Sequence, residues 1–112
     1  MGKTGENLAE NFLKSLDYEI ISSNYQTKIG EIDIVAKERS EIVFVEVKTR
    51  TSLKYGFPQE SITKSKLNRL RKLAFLYLAE NKIKNTSFRI DVISIQLEKT
   101  GKVLELDHIK NI

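Results

Sequence analysis

A chain of 112 residues is the size of one domain, so residues 1–112 are read as a single unit. Folding at this size buries roughly 60 to 70% of the surface the unfolded chain exposes, enough for one core but not two. Hydrophobic residues make up 40%, with no apolar run near the roughly 20 residues a membrane span requires, so no membrane partner is expected. The absence of cysteine and the single histidine, His108, exclude disulfides, thiolate catalysis, cysteine-ligated zinc and any histidine cluster, leaving carboxylates, lysines and hydroxyls for chemistry. A net charge of +4 suits an anionic partner, although many domains are as basic without one.

Met1 to Thr4 lead straight into a helical pattern without an apolar signal core, so the expected location is cytoplasmic. Leu8, Phe12 and Leu16, flanked by Ala9 and Leu13, recur at helical spacing over about Thr4 to Asp17, with Thr4 as the expected N-cap. Tyr18 to Thr27 is β-rich, and Lys28, Ile29 and Gly30 read as a turn into a second strand containing Ile32, Ile34, Val35 and Ala36. After the charged turn Lys37 to Glu41, the run Ile42 to Lys48 is nearly continuous in β-branched and aromatic residues, the pattern of a central strand covered on both faces. Gly56 and Pro58 mark a loop over Thr51 to Gln59, ahead of a long helix predicted from Ser61 to Asn81 with Leu67, Leu70, Ala74, Tyr77 and Leu78 on one face. Two more strands, Phe88 to Leu97 and around Val103 to Leu106, flank the Thr100-Gly101 turn. The order is α-β-β-β-α-β-β: an α/β fold with a mixed central sheet flanked by helices.

Strand alternation places Ile42, Phe44, Glu46 and Lys48 on one face of the third strand, so an acid and a lysine interrupt an otherwise apolar surface. Burying such groups without partners costs several kcal/mol. Asp33, between Ile32 and Ile34, is a similar interruption in the preceding strand. If the two strands form a hairpin, Asp33 and Glu46 approach each other near one end. Two carboxylates about 4 Å apart repel by roughly 4 kcal/mol at an effective dielectric of 20, and a divalent cation removes that cost. Hard oxygen ligands suit Mg²⁺ or Mn²⁺. Lys48, on the same side as Glu46, could orient an attacking water or stabilise charge developing on a phosphate, the requirements of phosphodiester cleavage. Helical angles put Glu6 nearer the apolar stripe than Glu10, making Glu6 the candidate third acid.

Each residue also has a plainer reading. A Glu and a Lys two positions apart on a strand can be a surface ion pair worth about 0 to 1 kcal/mol, and an acid in a first helical turn is favoured by the helix dipole alone. Arg89 and Asp91 share a strand face and are read as a structural ion pair before a support for the site. Lys64, Lys66, Arg69, Arg71 and Lys72 surround the long helix without forming one stripe; Lys64 and Lys66, with Arg50 beyond the central strand, are the candidate phosphate contacts. Tyr25, Tyr55 and Phe57 are read as core caps ahead of base-stacking residues, and Tyr77 as core.

The blocks Gly30-Glu31-Ile32-Asp33-Ile34-Val35-Ala36 and Phe44-Val45-Glu46-Val47-Lys48-Thr49-Arg50 resemble the PD-(D/E)xK nuclease superfamily, in the form found in the UPF0102 (YraN-like) family. The resemblance extends through Gly5-Glu6 and Ala9, Tyr55-Gly56, Thr63 to Lys66, and Arg89-Ile90-Asp91-Val92, nearly the whole chain. It implies a restriction-endonuclease-like domain similar to archaeal Holliday-junction resolvases. By that resemblance Asp33 and Glu46 are metal ligands for Mg²⁺ or Mn²⁺, Lys48 is the catalytic lysine and Glu6 the helix-borne acid. Ile32 stands where the superfamily's name has proline, a position without a chemical role. The implied function is metal-dependent hydrolysis of DNA, including branched DNA, and a homodimer is compatible with it. The alternatives are a non-catalytic nucleic-acid-binding module that keeps the fold and a protein-interaction domain that binds no nucleic acid.

Overall fold

A computed structural model describes residues 2–51 and 63–112. The elements run α1 (Gly2–Ser15), β1 (Glu19–Gln26), β2 (Glu31–Glu38), β3 (Glu41–Arg50), α2 (Lys64–Glu80), β4 (Phe88–Leu97) and β5 (Val103–Ile109). This is the predicted order. The five strands form one sheet in the sequence order β1-β2-β3-β4-β5, with the apolar run of β3 at its centre. β3 and β4 pair in parallel, joined through α2 as parallel neighbours require, and the other pairs are antiparallel. No helix among the described residues is long and apolar enough to cross a membrane.

The two sheet faces carry separate cores, which is why β3 and β4 are apolar on both sides. Ala9 and Leu13 of α1 pack with Ile34, Ala36, Val43, Val45, Ile93 and Ile95. Leu70, Leu73, Ala74 and Tyr77 of α2 cover Val35, Ile42, Phe44 and Ile90 on the other face. Tyr25 packs edge-on against Tyr77, 4.8 Å between centroids, and donates its hydroxyl to Glu80, so it caps the α2 side of the core.

Two helix starts differ from the sequence expectation. α1 begins at Gly2, which puts Thr4 inside the first turn and not at the N-cap. α2 begins at Lys64, because the Thr63 hydroxyl accepts the Lys66 amide and caps the helix there. Ser61, Tyr55, Gly56, Phe57 and Pro58 lie outside the described residues.

At the end of the sheet where β2 turns into β3, a polar network replaces apolar packing. Glu38 and Glu41 face each other across the two-residue turn, a repulsive pairing on its own. Arg89 of β4 resolves it by donating to Glu38 at 2.8 Å and Glu41 at 3.0 Å, while also donating to Asp91 and the Tyr18 hydroxyl. Asp91 is fully buried and takes further bonds from the Asn111 amide and His108 Nε2. Burial works against its charged form, but His108 and Arg89 outweigh it and lower its pKa. The Arg89–Asp91 pair is therefore structural, on the α1 face of the sheet, opposite the face that carries Glu46.

Candidate active site

Asp33 sits where the β2–β3 hairpin opens. The paired register runs from Glu38–Glu41 to Ile34–Val45. Beyond it, Asp33 Oδ2 accepts the Val47 amide at 2.8 Å, so a carboxylate takes the place of a strand carbonyl. Side-chain alternation slips at the same point. Ile34 and Ala36 face the α1 core, whereas Ile32 and Val35, three residues apart, both face the α2 core. The opened end adjoins a cleft of about 460 Å³ lined by Glu31, Asp33, Glu46, Thr63, Ser65, Lys66, Arg69, Leu70 and Leu73.

Three carboxylates converge here. Glu6, Glu31 and Asp33 each offer an oxygen, all within 4.8 Å of one another. Glu6 reaches this end because Gly5 lets α1 press on β3: a Cβ at Gly5 would lie 3.2 Å from the Thr49 Cβ and closer still to its hydroxyl. Glu10, the other acid on that helix, accepts instead from Ser23. Glu31 was absent from the candidate residues. Its position two residues before Asp33, on the same side of a strand, was the available signal, masked by its place at an exposed strand start. Gln26 on β1 donates to it.

Glu46 borders the same cleft but is engaged by cations. Its Oε2 lies 2.8 Å from Lys66 Nζ and 3.5 Å from Lys48 Nζ, so both ammonium groups share one oxygen. Lys48 shares the face of Glu46, as strand alternation requires. Lys66 comes from the first turn of α2. Lys64, the first residue of that helix, is exposed, and Arg50 ends β3 on the face of Glu46 and Lys48.

The electrostatics follow from this crowding. Burial pushes Asp33 up to about 7, repulsion from Glu46, Glu6 and Glu31 adds to it, and the Val47 amide opposes. Burial likewise raises Glu6, against a hydrogen bond from Asn24 and with Glu31, Glu10 and Glu46 contributing repulsion. Lys48 is lowered by burial and then by the adjacent Lys66. Burial also disfavours the Lys66 ammonium, but Glu46 more than compensates and its pKa is raised. A group of converging carboxylates, one of them kept partly protonated by burial first and by its acidic neighbours second, with ammonium groups already on a neighbouring acid, has the chemistry of a hard divalent-cation site. The donor set therefore fits Mg²⁺ or Mn²⁺.

Residues 5–95 match the model of a family described as "Uncharacterised protein family UPF0102". The chain belongs to the UPF0102 family. UPF0102 proteins similar to it include one from Caldicellulosiruptor saccharolyticus, 45% identical over 99% of this chain and 94% of the relative. Another, from Acetivibrio thermocellus, is 43% identical over 98% of this chain and 88% of its own length. A third, from Clostridioides difficile, is 42% identical over 98% and 93%. The similarity to UPF0102 members thus runs through every element that lines the cleft.

Proposed function

We propose that this UPF0102 protein is a metal-dependent nuclease of the PD-(D/E)xK type that hydrolyses DNA phosphodiester bonds, structured or branched DNA included. The observation that supports it most is the opened β2–β3 hairpin, which brings Asp33 and Glu46 to one cleft, with Glu6 and Glu31 around Asp33 and with Lys48 3.5 Å from Glu46. Asp33 and Glu46 would hold Mg²⁺ or Mn²⁺, with Glu6 and Glu31 within reach. The bound ion would supply Lewis-acid stabilisation of phosphate charge.

The chain's own residues divide the remaining work. Asp33 lines the cleft with one carboxylate oxygen fixed by the Val47 amide. The depressed pKa of Lys48 makes its ammonium a readier proton donor than an exposed lysine, suited to orienting water or meeting charge on a leaving oxygen. Lys64, Lys66 and Arg50 would neutralise backbone phosphates around the cleft.

Purified protein with Mg²⁺ or Mn²⁺ should cut at least one of single-stranded, duplex or branched DNA. Asp33→Asn and Lys48→Ala should each reduce cutting by at least about a hundredfold while circular dichroism stays native. Unchanged cleavage by both variants would refute the assignment.

One observation favours a second reading, a DNA-binding module without turnover. Glu46 is already neutralised by two ammonium groups, which a purely structural carboxylate would also achieve. That reading requires salt-sensitive DNA binding indifferent to chelator, with no heat on titrating metal.

A further inference from the structure

We propose that Lys66 is the resident counter-ion of the cleft: it covers Glu46 in the metal-free protein, and a divalent ion that takes Glu46 frees the ammonium for a substrate phosphate. The inference rests on the metal-binding part of the function proposed above and adds an order of events to it.

The geometry sets two cations in competition for one atom. Lys66 Nζ is 2.8 Å from Glu46 Oε2, and Lys48 Nζ is 3.5 Å from that same oxygen. An ion bound there would repel the ammonium already at 2.8 Å, so Lys66 and the ion compete for that oxygen, while Lys48 at 3.5 Å is the looser contact. Lys48 sits two residues from Glu46 on the same strand face, so it would remain beside Glu46 wherever its stem turns. Lys66 reaches in from a different element. Its amide is pinned by the Thr63 cap, 3.1 Å from the hydroxyl, while its four-carbon stem can swing. Once displaced, the ammonium remains in the same cleft, beside Thr63, Ser65 and Arg69 at the start of α2, where polar hydrogens and cationic side chains favour an anion. Glu6, Glu31 and Asp33 stand ready on the acidic side, their oxygens within 4.8 Å of one another. Lys66 would then contact phosphate only after the site has been loaded.

If the Lys66–Glu46 pair merely fastens α2 to β3, its removal changes stability and leaves metal affinity to general charge effects. Titration calorimetry with Mn²⁺ alone on the full chain separates the two. Lys66→Gln and Lys66→Met, the latter keeping the aliphatic stem, are compared with wild type and with Arg69→Gln. Arg69 lines the same cleft but donates to the Ile29 carbonyl, so its variant controls for loss of one positive charge. Both Lys66 variants should bind Mn²⁺ about five- to tenfold more tightly than wild type, and Arg69→Gln less than about twofold. Equal effects of the Lys66 and Arg69 variants would overturn the proposal while leaving the metal site standing. No heat from any of the four proteins would overturn the metal reading itself, and this inference with it.

The release to phosphate is read separately, by fluorescence anisotropy on a phosphorothioate duplex that resists cleavage. The gain in affinity on adding Mn²⁺ should be about threefold larger for wild type than for Lys66→Gln. Equal gains would overturn the release.

Discussion

Asp33 stores a pH dependence that can be measured without substrate. Its folded pKa of about 7 stands above the usual 3.8, so between those values the folded protein holds a proton that the unfolded chain has lost. The sign is destabilising: in the presence of chelator, the stability that protonated Asp33 contributes is fully present below about pH 4, is lost as pH rises through 7, and stays lost above. The full difference corresponds to about 4 kcal/mol, and the open, solvated cleft reduces it to about 1 to 2 kcal/mol. Asp33→Asn keeps an acceptor for the Val47 amide but cannot ionise. Urea unfolding at pH 8 should therefore find Asp33→Asn more stable than wild type by about 1 to 2 kcal/mol, with the two converging near pH 4. A variant less stable than wild type at pH 8 would mean that neither burial nor repulsion penalises the Asp33 carboxylate in the folded protein. The opposite trend at Asp91 does not interfere, because its lowered pKa places the loss of stability below the ordinary carboxylate range, where the Asp33 contribution is complete.

At the scale of elements, the contact between α1 and β3 decides whether Glu6 belongs to the site. Gly5→Ala would force its methyl into the Thr49 side chain and lift α1, costing about 1 to 3 kcal/mol. Thr49→Ala removes the hydroxyl and methyl that the new group meets, so Gly5→Ala/Thr49→Ala should recover at least half of that loss in urea unfolding, an interaction that adding the single effects cannot produce. Strictly additive losses would show that the helix does not need this approach. Much of the element scale was legible in the amino-acid sequence. Period-two alternation put Glu46 and Lys48 on one face, and the turn residues separated the strands correctly. The helix starts were less so: the apolar pattern runs the second helix back to Ser61, whereas the Thr63 hydroxyl, accepting the Lys66 amide, starts it at Lys64. The pairing of Glu46 with Lys66 was not legible at all. It spans the crossover from β3 to α2, and no local periodicity reports where a helix start lands on a strand.

The whole molecule distributes its charge unevenly along α2. The helix starts at the cleft, and its 17 residues carry the chain about 25 Å away before β4 returns. Arg50, Lys64 and Lys66 therefore lie toward the cleft, whereas Lys82 and Lys84 lie beyond the far end of the helix. A net charge of +4 would attract DNA from any side, but a site-directed complex should count only the near cations. Each neutralised phosphate contributes about −0.9 to the slope of log affinity against log salt, and with chelator Lys66 stays on Glu46, so the two remaining contacts, Arg50 and Lys64, predict a slope of about −2 for duplex DNA. Lys64→Gln should make that slope less steep by about one, and Lys84→Gln should leave it unchanged, in anisotropy titrations from low to moderate salt with chelator present. Equal effects of the two substitutions would mean that DNA is held by the protein's overall charge. A loss confined to Lys64 would instead place the bound strand at the start of α2, over the cleft that Asp33 and Glu46 line.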